Sequence, residues 1–239
     1  SEAVEGLRQF KGFSYFTEMS DIINRLEDHV ASARMKTTPV IDFEKNESLK
    51  GLDYLDTIYH AIVNEHPIQL KYRSFKARSA NSFIFYPYLL KEYRNRWFVY
   101  GVRGNGRVLQ NLALDRIQSL EVLPQEHYIK NTFFDPNTFF DDLVGVTKNS
   151  GSVAEKVGFK VAAAEAPYII TKPIHRSQQL VERLPDGSVI LEIEVVINHE
   201  LERVFFGYVD GIEILYPKTL VELMSRKLEK AAKQYTKSK

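Results

Sequence analysis

Arginines set among aromatic residues are the part of this sequence whose types and spacing could do chemistry. Arg94, Arg96 and Arg103 flank the only tryptophan, Trp97, and the run Phe98-Val99-Tyr100, while Tyr72-Arg73 and Arg116 stand in neighbouring stretches. A guanidinium is a planar fork that pairs bidentately with phosphate or carboxylate, and aromatic faces accept stacked bases. The chemistry on offer is therefore recognition of an anion by Tyr72, Arg73, Arg94, Arg96, Phe98, Tyr100 and Arg116. Charge is distributed to match. Residues 68–118 hold ten Lys/Arg (Lys71, Arg73, Lys76, Arg78, Lys91, Arg94, Arg96, Arg103, Arg107, Arg116) against Glu92 and Asp115, a balance of +8 (10 − 2) in a chain of net charge +1. A basic module inside a near-neutral chain suggests an anionic partner. The plainer alternative is that strand edges and loops carry Lys and Arg for solubility. Asp115-Arg116 reads equally as a local ion pair and as a ligand contact.

Catalysis finds little support. There is no cysteine, so disulfides, thiolate metal sites and cysteine nucleophiles are excluded. The histidines His29, His60, His66, His127, His175 and His199 show no metal-type spacing. Gly104-Asn105-Gly106 lacks the Lys-Ser/Thr ending of a phosphate loop, and no G-x-S-x-G elbow occurs. Asp141-Asp142 are adjacent carboxylates, but sequence neighbours need not face one substrate. No enzyme, cofactor or metal is expected.

The elements that must position these residues follow from periodicity. An apolar share of 44% with 12% aromatics in 239 residues supports packed cores, and no apolar run reaches the length of a membrane span. Phe16, Met19, Ile22, Ile23, Leu26 and Val30 predict a helix, residues 40–43 a short strand, and Leu49, Leu52, Leu55, Ile58, Tyr59 and Ile62 a second helix. Alternation then predicts strands over 68–73, 83–90, 94–103 and 107–117, continuing to residue 123. Gly104-Asn105-Gly106 is read as the tight hairpin, and Pro87 as an edge or a bulge. About five strands in so short a span suit a small closed or nearly closed barrel. On the strand 94–103, Trp97 and Val99 are assigned to the core, and Arg96, Phe98 and Tyr100 to the pocket or surface.

Residues 124–151 read as an aromatic-rich packed connector. Beyond it come strand 157–162, helix 165–171, strand 178–184, a Pro185-Asp186-Gly187-Ser188 turn, strand 189–197, helix 199–208, strand 212–216 and a terminal helix over 218–235. The order β-α-β-β-α-β plus a helix is the ferredoxin-like arrangement. The predicted class is thus α+β: linker helices over 1–66, a small barrel over 67–124, a connector over 125–154 and a ferredoxin-like unit over 155–239.

Several stretches, taken in order, resemble the WYL domain: Ala61-Ile62, Leu70-Lys71-Tyr72, Tyr86-Pro87-Tyr88-Leu89-Leu90, Arg96-Trp97-Phe98-Val99 and Leu112-Ala113-Leu114-Asp115-Arg116-Ile117. Trp97-Phe98-Val99 holds the place of the naming Trp-Tyr-Leu triplet with two conservative departures, and the Leu-Asp-Arg-Ile ending is the strongest match. Ile174-His175-Arg176-Ser177-Gln178 and the unit around it resemble the C-terminal extension that accompanies WYL domains. The resemblance implies a Sm-like barrel in a bacterial transcription regulator that senses nucleic acid, nucleotide or another anionic effector. It implies ligand contacts at Tyr72, Arg73, Arg96, Phe98, Asp115 and Arg116. Many relatives have an arginine two positions before the aspartate, and this chain has Ala113 there.

WYL proteins typically place a winged helix-turn-helix first. Residues 1–60 show no recognition helix and Ser1 follows no initiator methionine, so a fragment beginning at the linker helices is expected. Promoter DNA would be met through that missing domain, in a cytoplasmic homodimer with no membrane contact. Direct nucleic-acid binding without sensing is the alternative.

Overall fold

The computed structural model of the chain describes residues 50–104, 106 and 108–236. The helix predicted over 16–30 and the strand over 40–43 lie outside the described residues. The chain forms two compact units, Ser1–Phe133 and Phe134–Lys239. Each is mixed α and β around one antiparallel sheet.

In the first unit a 3-10 turn, Leu52–Tyr54, leads into helix α1, Leu55–Val63. Apolar positions three apart put Leu55, Ile58 and Ala61 on one face, and all three are buried. Strands β1 (Ile68–Tyr72), β2 (Asn81–Tyr93), β3 (Arg96–Arg103), β4 (Gln110–Ala113) and β5 (Ile117–Val122) form a sheet in the order β4-β3-β2-β1-β5. Ile68, Leu70, Phe85, Val99, Leu112, Leu114 and Ile117 close with α1 into one core.

The sheet curls for two reasons. β2 serves different neighbours with its two halves, pairing with β1 from Asn81 to Phe85 and with β3 from Phe85 to Tyr93. In addition, β4 and β5 are the two outer strands, yet only the 3-10 turn Leu114–Arg116 separates them in sequence. Flat strands about 4.8 Å apart would place the outer pair about 19 Å from each other. The four Cα steps from Ala113 to Ile117 span at most about 14 Å. The edges must therefore bend toward each other, and the turn lies where they meet.

The hairpin expected at Gly104-Asn105-Gly106 joins β3 to β4, with Gly104 at a φ of 53° and the Gly106 N–H donating to the Arg103 carbonyl at 2.7 Å, but it is not the tightest turn of the sheet. A tighter hairpin, inside the stretch expected as one strand, joins β2 to β3 at Arg94-Asn95, both with positive φ (50° and 59°), between the paired residues Tyr93 and Arg96. Asparagine tolerates this conformation, and the two-residue loop matches the strand twist. The run expected as one return strand is broken into β4, the 3-10 turn and β5. Pro87, with no N–H to donate, sits beyond the β1 pairing and beside a register shift against β3. Tyr100 is not on the surface: it is 2% exposed, and Val102 is fully buried. The side of the sheet opposite the main core is itself covered, with Tyr88 stacked on Phe133 and edge-on to Tyr128, whose hydroxyl donates to the Pro87 carbonyl.

Gly51 ties the turn down from the other side. Its φ is +85°, and a Cβ there would lie 2.4 Å from the Leu114 carbonyl carbon and 2.7 Å from the Asp115 nitrogen. Close backbone approach of this kind requires glycine. Tyr54 then donates its hydroxyl to the Gln118 carbonyl at 3.1 Å.

The second unit runs β6 (Glu155–Val161), α2 (Ala166–Thr171), β7 (Gln179–Arg183), β8 (Val189–Val195), α3 (His199–Phe206), β9 (Ile212–Tyr216) and α4 (Lys218–Thr236). The sheet order β7-β8-β6-β9, antiparallel throughout, is the ferredoxin-like one. Val157, Phe159, Val161, Val189, Leu191, Ile193 and Val195 alternate inward and meet Ile169, Leu201, Phe205, Leu220 and Met224. Asn198 caps α3 by accepting from the Leu201 N–H, and its amide donates to the Val144 and Thr147 carbonyls.

The stretch Ile174-His175-Arg176-Ser177-Gln178 is a knot of internal contacts. Gln178 accepts from the Ile174 N–H and donates to the Ile169 carbonyl, and Arg176 pairs with Asp141 at 2.7 Å. His175 Nδ1 lies 2.7 Å from the Ser177 hydroxyl and accepts from the Ser177 N–H, while Ser177 Oγ accepts from the Glu194 N–H. Nδ1 as acceptor requires the neutral ring. Burial, with Arg176 adding to it, holds the His175 pKa below its usual value.

Two outcomes are expected. Gly51→Ala forces a Cβ into backbone that cannot swing aside, and chemical denaturation should show a loss of at least about 2 kcal/mol. At His175 the unfolded chain takes up a proton near pH 6.5 and the folded chain only below that. Stability of the second unit should therefore fall as pH drops below about 6.5. His175→Asn, which keeps an acceptor at the Nδ1 position, should flatten that slope in thermal melts at a series of pH values.

Candidate anion-binding groove

Strand pairing gathers most of the predicted site residues around the Leu114–Arg116 turn. Tyr72 ends β1 opposite Ile117, with a register shift at Lys71/Tyr72, and the Arg73 N–H donates to the Arg116 carbonyl at 3.1 Å. The two chain segments part beyond that bond and leave an open groove of about 310 Å³. Arg73, Ser74 and Phe75 form one side, and Asp115, Arg116, Ile117 and Gln118 the other.

Arg116 is the centre of this groove. Its guanidinium carbon lies 4.5 Å from the centroid of the Phe75 ring, and its side chain is 26% exposed. Phe75 itself is 73% exposed, unusual for so large an apolar ring. The cation over the ring is worth roughly 0.5–1 kcal/mol at such a site. Behind it, Tyr72 is buried, and burial pushes its phenol up while the neighbouring Arg116 pulls the other way.

Asp115 sits between two cations. Oδ2 is 3.2 Å from Arg96 Nε, and Oδ1 is 3.8 Å from Arg116 Nε. The first distance suits a hydrogen bond and the second does not. Both Asp115 Oδ1 and Arg116 Nε are buried without a hydrogen-bond partner among the described residues. Arg96 is 48% exposed at the side chain, so its pair with Asp115 adds roughly 0.2–1 kcal/mol.

Of the six residues carried by the resemblance, Arg73, Asp115 and Arg116 line the groove. Tyr72 lies behind it, and Arg96 reaches it only through Asp115. Phe98, paired with Lys91 and Ala113, is partly buried and not among the lining residues. Phe75 was not foreseen. A lone aromatic inside the polar, basic loop 74–80 was the signal available. Among the described residues no group of three or more His, Cys, Asp and Glu could hold a metal ion, and no helix is long and apolar enough to cross a membrane.

The groove offers two guanidinium groups, one exposed ring and one carboxylate, a set suited to binding an anion that carries a flat group.

Residues 53–122 match the WYL domain and residues 154–232 the WCX domain. No curated protein matches the chain. Among solved structures it is similar to proteasome accessory factor B/C (PafBC) of Arthrobacter aurescens, at 16% identity and TM-score 0.33 over 80% of this chain and 28% of that one. It is also similar to a CRISPR Cas-related protein, at 13% identity and TM-score 0.46 over 78% of this chain and 52% of the other. The chain thus spans about a quarter and about half of those two proteins. With the curled sheet and α1 inside residues 53–122 and the ferredoxin-like sheet inside residues 154–232, the chain carries a WYL domain followed by a WCX domain.

Proposed function

We propose that this chain is the effector-sensing and dimerisation region of a bacterial WYL-family transcription regulator. Its ligand is negatively charged, a nucleotide or single-stranded nucleic acid, held in the groove between Arg73–Phe75 and Asp115–Gln118. The observation that carries this reading is Arg116 laid over the exposed Phe75 ring at the mouth of the groove. A phosphate would be held by Arg73 and Arg116 while a base stacks on Phe75. The surplus of positive charge over residues 68–118 would draw such a ligand in from a distance.

In this reading the regulator works in the cytoplasm as a homodimer and meets promoter DNA through a separate domain. The groove binds and does not turn a substrate over. Direct nucleic-acid binding without sensing is the second reading, favoured by the same basic loop (Lys76, Arg78) beside the groove. Linkage separates the two, because a sensor's operator affinity changes when the effector binds at its own site.

Fluorescence anisotropy with a short oligodeoxythymidylate at fixed salt tests the groove. Arg73→Ala and Arg116→Ala should each weaken binding about tenfold and lower the salt slope by about one. Phe75→Ala should weaken it by about 1–3 kcal/mol, and Phe75→Trp should restore it. Unchanged affinity in all of these variants would remove the groove as the binding site.

A further inference from the structure

Asp115 is an odd residue to find in the wall of a groove meant for anions. Its carboxylate cancels one of the positive charges that a phosphate would seek. The pairing around it is also unequal. Oδ2 is committed to Arg96 at 3.2 Å, while Oδ1 stops 3.8 Å short of Arg116 Nε. Neither Oδ1 nor that Nε has a hydrogen-bond partner among the described residues, although both are buried. Buried polar atoms are nearly always satisfied, so this pair is held together by charge alone, in an arrangement that a better partner would improve.

A phosphate in the groove is such a partner. Bidentate recognition by arginine uses Nε together with a terminal nitrogen, or both terminal nitrogens, with paired oxygens. Using Arg116 Nε requires that the Asp115 carboxylate give way. It has somewhere to go: Arg96 already holds one oxygen, and its half-exposed guanidinium has further donors to offer the other. Arg96 can hold the carboxylate there because it sits immediately after the Arg94-Asn95 turn, where β3 is pinned to Tyr93 of β2.

Building on the groove reading above, we infer that Asp115 is an internal competitor for Arg116, and that Arg96 tunes the competition by drawing the carboxylate away from the ligand. Arg96 is then a positioning residue, acting through Asp115 and touching no ligand. The groove rejects weak single anions, which cannot displace the carboxylate. It accepts ligands with enough phosphate oxygens to occupy Arg116 fully.

A double-mutant cycle with inorganic pyrophosphate as the probe, read by calorimetry on the full chain, tests this. Asp115→Asn should tighten binding about fivefold or more, and Arg96→Met should weaken it by a similar factor. In the Asp115→Asn background the Arg96→Met change should have no further effect, since there is no longer a carboxylate to draw away. An equal loss from Arg96→Met in both backgrounds would make Arg96 a direct ligand contact and overturn the inference. Weaker binding in a folded Asp115→Asn variant would overturn it too, by making Asp115 a support for Arg116. Arg116→Ala is the separate control: if it binds pyrophosphate like the wild type, the groove reading itself fails. Should Asp115→Asn not fold, the wild type still decides. Its Arg116 Nε–Hε resonance should shift on adding pyrophosphate while the Arg96 Nε proton exchanges more slowly. Saturation without movement of the Arg116 signal would contradict the inference.

Discussion

A three-residue turn joins the two outermost strands of the first sheet, and most of what distinguishes this unit follows from that constraint. Leu114–Arg116 leaves too little chain for the edges of a flat sheet to be so far apart, so β2 bends and the sheet curls. Leu114 points into the core with 1% exposure and anchors the turn. Asp115 and Arg116, the next two residues, are then displayed at the seam, where the end of β1 passes within hydrogen-bonding distance. Gly51 presses on the same peptide from behind and admits no side chain. The groove is thus a by-product of closing the sheet, placed where Gly51, the buried Leu114 and the Arg73–Arg116 backbone bond hold the chain.

Electrostatics at the seam is a matter of few charges in close quarters. Arg96, Asp115 and Arg116 form a chain of alternating sign, with Arg73 beyond it. Because the groove is open to solvent, each exposed pair adds little to stability. The value of the arrangement lies in the unequal sharing of Asp115 between its neighbours, which keeps Arg116 close to a partner it does not fully bond. The second unit uses polar groups in the opposite way. Around Ile174–Gln178 the donors and acceptors close on one another, and the neutral His175 ring is part of that closure.

Much of this was legible in the sequence, most of all where one physical rule acted alone. In the second unit, strict alternation from Val189 to Val195 and the helical spacing of Leu220, Leu223 and Met224 gave elements that lie within a few residues of those observed. The first unit was harder, because several rules competed there. Glycines marked the hairpin between β3 and β4 at residues 104–106, but the tighter turn at Arg94-Asn95, which reaches positive φ without glycine, was hidden inside a predicted strand. Alternation assigned Tyr100 outward, but both sides of β3 are covered, so period two no longer separates core from surface. The candidate site residues were chosen by type, as a set. Their roles depended on a turn that no local pattern announces, and that turn divides them into groove wall, support and indirect contact.

The most direct test is a crystal structure of the chain with a short oligodeoxythymidylate bound. If the groove is the binding site, a phosphate lies within hydrogen-bonding distance of both Arg73 and Arg116 and a thymine stacks on Phe75. An oligonucleotide bound elsewhere on the chain, with Arg116 still resting on Phe75 and its groove empty, would contradict that reading.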